Sequence, residues 1–219
     1  MAKLRSIAVV NAGTSEPSTT AMLAGQIGEA LDRISANGPI EIELRSVELK
    51  PLAQDIMAAL VSQHVSPKLQ EAMNLLRDAD GLIVSTPVYK AGPSGLFSSF
   101  FQILDSDVLI GTPVILASTA GSARHALVVD DQLRGLFAYM RTMPVPTGIF
   151  AAPEDWSDGD LPKRLDRAAG ELLAFLSADI RGSIRGSNWR GYQHSYGSAG
   201  GTELDIELNS DLMRLATGG

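Results

Sequence analysis

Hydroxyl side chains crowd one short stretch near the start of the chain. Thr14, Ser15, Ser18, Thr19 and Thr20 fall within seven positions, after the apolar run 6–10 and before Leu23, Ile27, Leu31 and Ile34 at helical spacing. That order predicts a strand-to-helix turn. The first amides of a helix have no partner within it, so such a turn presents free N–H donors, and hydroxyls add more. Capping the helix requires only one of these side chains. The excess, in a loop without lysine, suits a phosphate monoester held by hydrogen bonds. A second loop, 85–95, sets Tyr89 and Lys90 between Pro87 and Pro93, with Gly92 and Gly95 allowing close approach. A flat heteroaromatic ring fits against Pro87, Val88 and Tyr89; the alternative is an ordinary connection whose Tyr89 covers the core. A third loop, 117–125, is a small-residue turn centred on Thr119, Ala120, Gly121 and Ser122, with amides suited to the polar edge of a heterocycle. Arg124 and His125 close it. His125 reads as a surface or capping histidine, because no partner is legible that would tune it for proton transfer.

Other chemistries are excluded by what is missing. There is no GxxxxGK[ST] phosphate loop, no GxGxxG after the first strand, and no aspartate cluster at Asn11–Ala12. The absence of cysteine removes disulfides, thiolate metal sites and thiol nucleophiles, and the three histidines match no zinc spacing. With 18 basic against 25 acidic residues the formal charge is −7, and no Lys/Arg run offers a footprint for nucleic acid. The apolar start is interrupted at Asn11, too short for a signal peptide or a membrane span. These features predict a cytoplasmic protein that binds neither nucleic acid nor membrane.

The elements that must position the loops follow from hydrophobic pattern. The runs 6–10, 81–85 and 113–117 are apolar on nearly every residue and predict strands buried on both faces of a parallel sheet. Segment 40–44 alternates and reads as an edge strand; 145–151 contains Pro146 and fits the opposite edge. Helices are expected after Ser18, after Ser66-Pro67, over 93–104, over 126–140 and over 161–180, the last with Leu165, Leu172, Leu176 and Ile180 on one face. The alternation specifies a three-layer α/β domain with right-handed crossovers. In such sheets ligands bind beyond the carboxyl ends of the strands, where all three loops lie. The helix 93–104 carries Leu96, Phe97, Phe100, Phe101, Ile103 and Leu104, more apolar circumference than one sheet face covers, and reads as an oligomer interface or a deeply buried core helix. Past Arg181 the composition turns to Gly and Ser with Trp189, Tyr192 and Tyr196; 202–208 then alternates and 211–216 is helix-like. This divides the chain into a domain at 1–181 and a tail at 182–219, which is flexible or packs at an oligomer interface.

Taken together, the three loops resemble those of the NADPH-dependent FMN reductases of flavodoxin-like fold. The most specific piece is Thr86-Pro-Val-Tyr-Lys-Ala-Gly-Pro-Ser-Gly95, which resembles the family's TPVY-type loop. Ser118–His125 is similar to its Gly-rich flavin loop, with Ala120 where a glycine is common, and Gly13–Ser18 lacks the arginine many members carry. The whole chain, including the ending Gly200-Gly-Thr-Glu-Leu-Asp and Leu212-Met-Arg-Leu-Ala-Thr-Gly218, resembles a subgroup associated with luciferase-like flavin monooxygenases. The resemblance implies a doubly wound five-stranded sheet of order 2-1-3-4-5 and a reductase domain at 1–181. It further implies FMN and NADPH (or NADH) as cofactor and substrate, with hydride passing from nicotinamide C4 to flavin N5. Thr14, Ser15, Ser18, Thr19, Thr20, Pro87, Val88, Tyr89, Lys90, Thr119, Ala120, Gly121 and Ser122 would then bind flavin. Lys90 and Arg124 would guide the nicotinamide nucleotide and favour an anionic reduced flavin, with no catalytic side chain. Implied partners are free FMN, a second copy or more in a homodimer or homotetramer, and a flavin-dependent monooxygenase. A quinone or azo reductase, and a flavodoxin-like electron carrier, remain as alternatives.

Overall fold

The computed structural model describes residues 3–36 and 38–192, the last six by backbone only. Strand β1 (Lys3–Asn11) leads into α1 (Thr19–Ser35); β2 (Ile40–Glu48) is followed by a single 3-10 turn, α2 (Ala53–Ser62) and α3 (Pro67–Asp78). Strand β3 (Gly81–Tyr89) folds back into the two-residue β4 (Gly92–Pro93) before α4 (Gly95–Gln102), and β5 (Pro113–Thr119) follows. After α5 (Arg134–Tyr139) come β6 (Met143–Pro144), β7 (Ile149–Ala151), α6 (Asp160–Ser177) and α7 (Ile180–Tyr192).

The main strands run β2-β1-β3-β5-β6, with β4 hydrogen-bonded to β3 and β7 to β5. All pairings are parallel except that of β3 with β4. Counted as one broken edge strand, β6 and β7 complete the order 2-1-3-4-5 of the flavodoxin-like fold. The break falls around Pro146, and Thr147 there bonds Glu171 of α6 through both its amide and its hydroxyl, at 2.8 Å each. All of β5 is buried, as are Ile7–Asn11 of β1 and the first seven residues of β3. One core joins the sheet to α2, α3, α4 and α5, and a second joins its other face to α1 and α6.

Several expectations are corrected. Ile34 is 41% exposed on the last turn of α1, and Ile180 opens α7 instead of extending α6. The helix expected over 126–140 contains a π-helical turn at Val129–Leu133 that runs directly into α5, and a separate 3-10 turn at Ala123–His125 precedes it. Helix α2 has no counterpart in the pattern reading, and it explains α4. Phe97, Phe100, Phe101 and Leu104 are at most 5% exposed within this one chain, because α2 packs on α4 and Phe137 of α5 closes on Phe97 and Phe101 with ring centroids 6.3 and 4.9 Å apart. The apolar ring of α4 is therefore consumed by the chain itself and argues for no interface. The division at 181/182 falls inside α7, where Arg185 donates to the Ile110 and Val108 carbonyls at 3.0 and 2.6 Å. Tyr196, the alternating 202–208 and the helix-like 211–216 lie outside the described residues.

The amino ends of the strands are gathered by Arg5, whose guanidinium bonds Asp80 and Asp179 at 2.8 Å each and the Leu176 carbonyl at 3.2 Å. The hydrogen bond from Arg5 holds the Asp179 carboxyl below its usual range. A carboxylate depressed in the folded state stabilises above its unfolded pKa and loses that contribution as pH falls through the folded one. Asp179→Asn is therefore expected to flatten the acid limb of stability below about pH 4, measured by urea midpoints across pH. Phe97→Ala should lower unfolding free energy by about 3–5 kcal/mol. Equilibrium urea unfolding should show the same loss at low and high protein concentration, since the cost lies within one chain.

Candidate functional site

A cavity of about 300 Å³ opens beyond the carboxyl ends of β1, β3, β5 and β7, at the small end of the usual range for ligand sites. The first loop contributes Thr14, Ser15, Thr19 and Thr20 to its wall; the second contributes Pro87, Val88 and Tyr89; the third, Thr119, Ala120 and Gly121. The remaining wall is Ala151, Pro153 and Trp156, which the sequence reading missed. The signal was available: the rule that ligands gather at strand carboxyl ends applies equally to the fifth strand.

Asn11 shapes the first loop. It is 2% exposed; its amide nitrogen donates to Glu48 at 2.6 Å, and its side-chain oxygen accepts the Gly13 amide at 3.0 Å. Its carbonyl accepts the Leu49 amide at 2.9 Å, so the loop is tied to the end of β2. Ser18 caps α1, its hydroxyl accepting the Ala21 amide at 3.1 Å, as a capping serine should. That cap depends on Gly13, where an added Cβ would lie 2.0 Å from the Ser18 hydroxyl oxygen. Thr20 joins the loops: its hydroxyl pairs with that of Thr119 at 2.8 Å, and its carbonyl accepts the Ser85 hydroxyl at 3.1 Å, all buried.

The second loop is a tight hairpin, with Val88 opposite Pro93 and Tyr89 opposite Gly92. Its two central residues, Lys90 and Ala91, have φ of 52° and 63°. A two-residue hairpin favours positive φ at both positions, but it normally uses Asn or Gly there; side chains in this region cost roughly 1–2 kcal/mol each. Gln132, from the π-helical turn, secures the hairpin tip by donating to the Ala91 carbonyl at 2.7 Å. Below it, Thr86 and Ser94 exchange hydrogen bonds and Ser94 caps α4 through the Phe97 amide. Tyr89 is 53% exposed, and its hydroxyl lies 3.5 Å from that of Thr14, bringing the first two loops together across the cavity.

Four predicted residues stand off the cavity wall. Ser18 spends its oxygen on the cap. Lys90 sits in the hairpin turn. Ser122 leads into the 3-10 turn, and Arg124 within that turn donates to His125 Nε2 at 3.2 Å. All the residues lining the cavity are uncharged. The acid in the first loop, Glu16, is paired with Lys50 at 3.0 Å. An anionic ligand here would be held by hydroxyls, by amides at the start of α1 and by the helix dipole. Among the described residues no group of three acidic or histidine side chains is placed to hold a metal ion, and no helix is long and apolar enough to cross a membrane.

The family model described as NADPH-dependent FMN reductase matches residues 5–157. NADH-dependent FMN reductase SfnF of Pseudomonas fluorescens is 34% identical over 183 residues, 84% of this chain and 95% of that protein. FMN reductase (NADPH) of Pseudomonas aeruginosa is 34% identical over 180 residues, 80% of this chain and 92% of that protein. Among solved structures, an oxidoreductase from Corynebacterium diphtheriae superposes with a TM-score of 0.77 at 45% identity, covering 81% of this chain and 99% of the other.

The Gly13–Ser18 contact makes a sharp prediction. Gly13→Ala should displace the cap and cost about 1 kcal/mol, a fall of roughly 2–4 °C in melting temperature. Ser18→Ala should cost a similar amount alone and add little on top of Gly13→Ala, because the cap is already lost.

Proposed function

The chain belongs to the NADPH-dependent FMN reductase family, and on that premise we propose that it reduces FMN with a nicotinamide nucleotide and releases the reduced flavin to a partner monooxygenase. The observation that carries this reading is the uncharged cavity at the carboxyl end of the sheet, with hydroxyls at one helix start and Pro87, Val88 and Tyr89 opposite. These residues fit FMN. Thr14, Ser15, Thr19 and Thr20 would hold its phosphate, beside a glycine whose Cβ would displace the Ser18 hydroxyl from its cap. The second and third loops would flank its ring.

When bound, the flavin supplies the hydride acceptor, so the protein supplies binding, orientation and electrostatics. Tyr89 and Trp156 present aromatic surface at the cavity and exclude water from that side. The Ala120 amide is already committed to the Ala151 carbonyl at 3.1 Å, which fixes the third loop against β7. With no charged side chain at the wall, phosphate affinity rests on neutral donors. That arrangement suits a flavin that exchanges, as a substrate handed on to an oxygenase must. Lys90 and Arg124, close in sequence to wall residues Tyr89 and Gly121, would guide the nucleotide phosphates. We assign the protein to the cytoplasm, where nicotinamide nucleotides circulate. We also assign it a homodimeric or homotetrameric state: with α4 occupied internally, Met57, Leu60 and Val61 share an exposed face of α2 and form the candidate contact.

Steady-state oxidation of NADPH and NADH with free FMN should show turnover, and the reduced flavin should be recoverable free in solution. Turnover with a quinone but none with free FMN would overturn the reading. Lys90→Ala and Arg124→Ala should each raise the KM for the nucleotide severalfold and weaken its salt dependence; unchanged values in both would remove their assigned role.

A further inference from the structure

We propose that Trp156 is a fourth wall of the flavin pocket, in direct contact with bound FMN, and that Arg164 is the positioning residue that holds it there. The inference rests on the FMN reductase reading and extends it to a turn beyond the three loops. Trp156 lines the same cavity as Thr20, Tyr89 and Thr119. It is half-buried and packs against the core beneath α1 and α6, so its ring is braced from behind while another part faces the cavity.

The turn that carries it, Pro153–Ser157, is fixed by two side chains. Asp155 accepts the Ala152 amide at 2.8 Å with one carboxylate oxygen and an Arg164 N–H at 2.5 Å with the other. Arg164 also donates to the Phe150 carbonyl at 3.1 Å, joining α6 to β7 on the approach to the turn. Only 29% of the Arg164 side chain and 18% of the Asp155 side chain are exposed, so the pair is sheltered from solvent screening.

The chain has two tryptophans, Trp156 and Trp189, which makes the contact readable in the full-length apoprotein. In a Trp189→Phe protein titrated with FMN, indole emission and flavin polarisation are followed together. Indole emission should be quenched in proportion to the flavin bound. Trp156→Ala and Arg164→Met should each raise the FMN dissociation constant about three- to tenfold. Trp156→Phe should recover most of the loss and Arg164→Lys part of it. The double variant Trp156→Ala/Arg164→Met should be no weaker than Trp156→Ala alone, because Arg164 acts through the ring. Polarisation of the flavin without a change in indole emission, or additive losses in the double variant, would overturn the proposal and leave the reductase reading standing. Absence of any flavin polarisation would instead sink that reading. The Trp156→Ala and Trp156→Phe affinities need no Arg164 substitution, so they decide the contact even if Arg164→Met does not fold.

Discussion

Thr20 is held from two sides, and the pocket depends on that. Its carbonyl takes the Ser85 hydroxyl from the end of β3, and its hydroxyl pairs with Thr119 at the end of β5. These buried bonds pin the first turn of α1 against two parallel strands, so the amides of that turn face a cavity of defined width. Asn11 does the same work from β1, joining Gly13 to Glu48 at the end of β2. Buried polar groups must find partners or incur a large desolvation penalty. Here the partners belong to different strands, and satisfying them registers the loops to one another.

The resulting site is neutral in an acidic protein. A charge of −7 offers no general attraction to FMN or to a nicotinamide nucleotide, both anions. Attraction must come from local dipoles and donors, and two acids close to the site are paired with cations, Glu16 with Lys50 and Asp155 with Arg164. The strained hairpin at Lys90 and Ala91 belongs to the same economy of position. Two side chains tolerate positive φ so that Tyr89 can stand at the cavity, and the Gln132 bond to the Ala91 carbonyl opposes relaxation of the turn.

The parts of this architecture that were legible share one property: their signal is local. The continuous apolar runs at β1, β3 and β5 are buried along nearly their whole length, and Ser18 and Ser66-Pro67 mark helix starts where caps form. Ten of the predicted flavin-site residues meet around one cavity, because strand ends and small-residue loops announce themselves in composition. What was not legible depended on neighbours distant in sequence. Helix α4 read as an interface or a core helix because α2 and Phe137, which cover it, cannot be placed by periodicity. Segment 126–140 looked like one regular helix because its apolar spacing survives the π-helical turn within it.

From sequence alone came the three-layer sheet, the carboxyl-end loops that line the cavity, the hydroxyl character of the first loop and the absence of cysteine. Tertiary structure alone decided which loops converge, which residues stand back from the wall, and that Trp156 completes it. The physical reason is the range of the forces. Propensity, capping and hydrophobic period act within a few residues and leave a readable trace. The Thr20–Thr119 pair spans 99 residues and the Arg5–Asp179 pair 174, and partners of that kind are chosen only when the chain closes on itself.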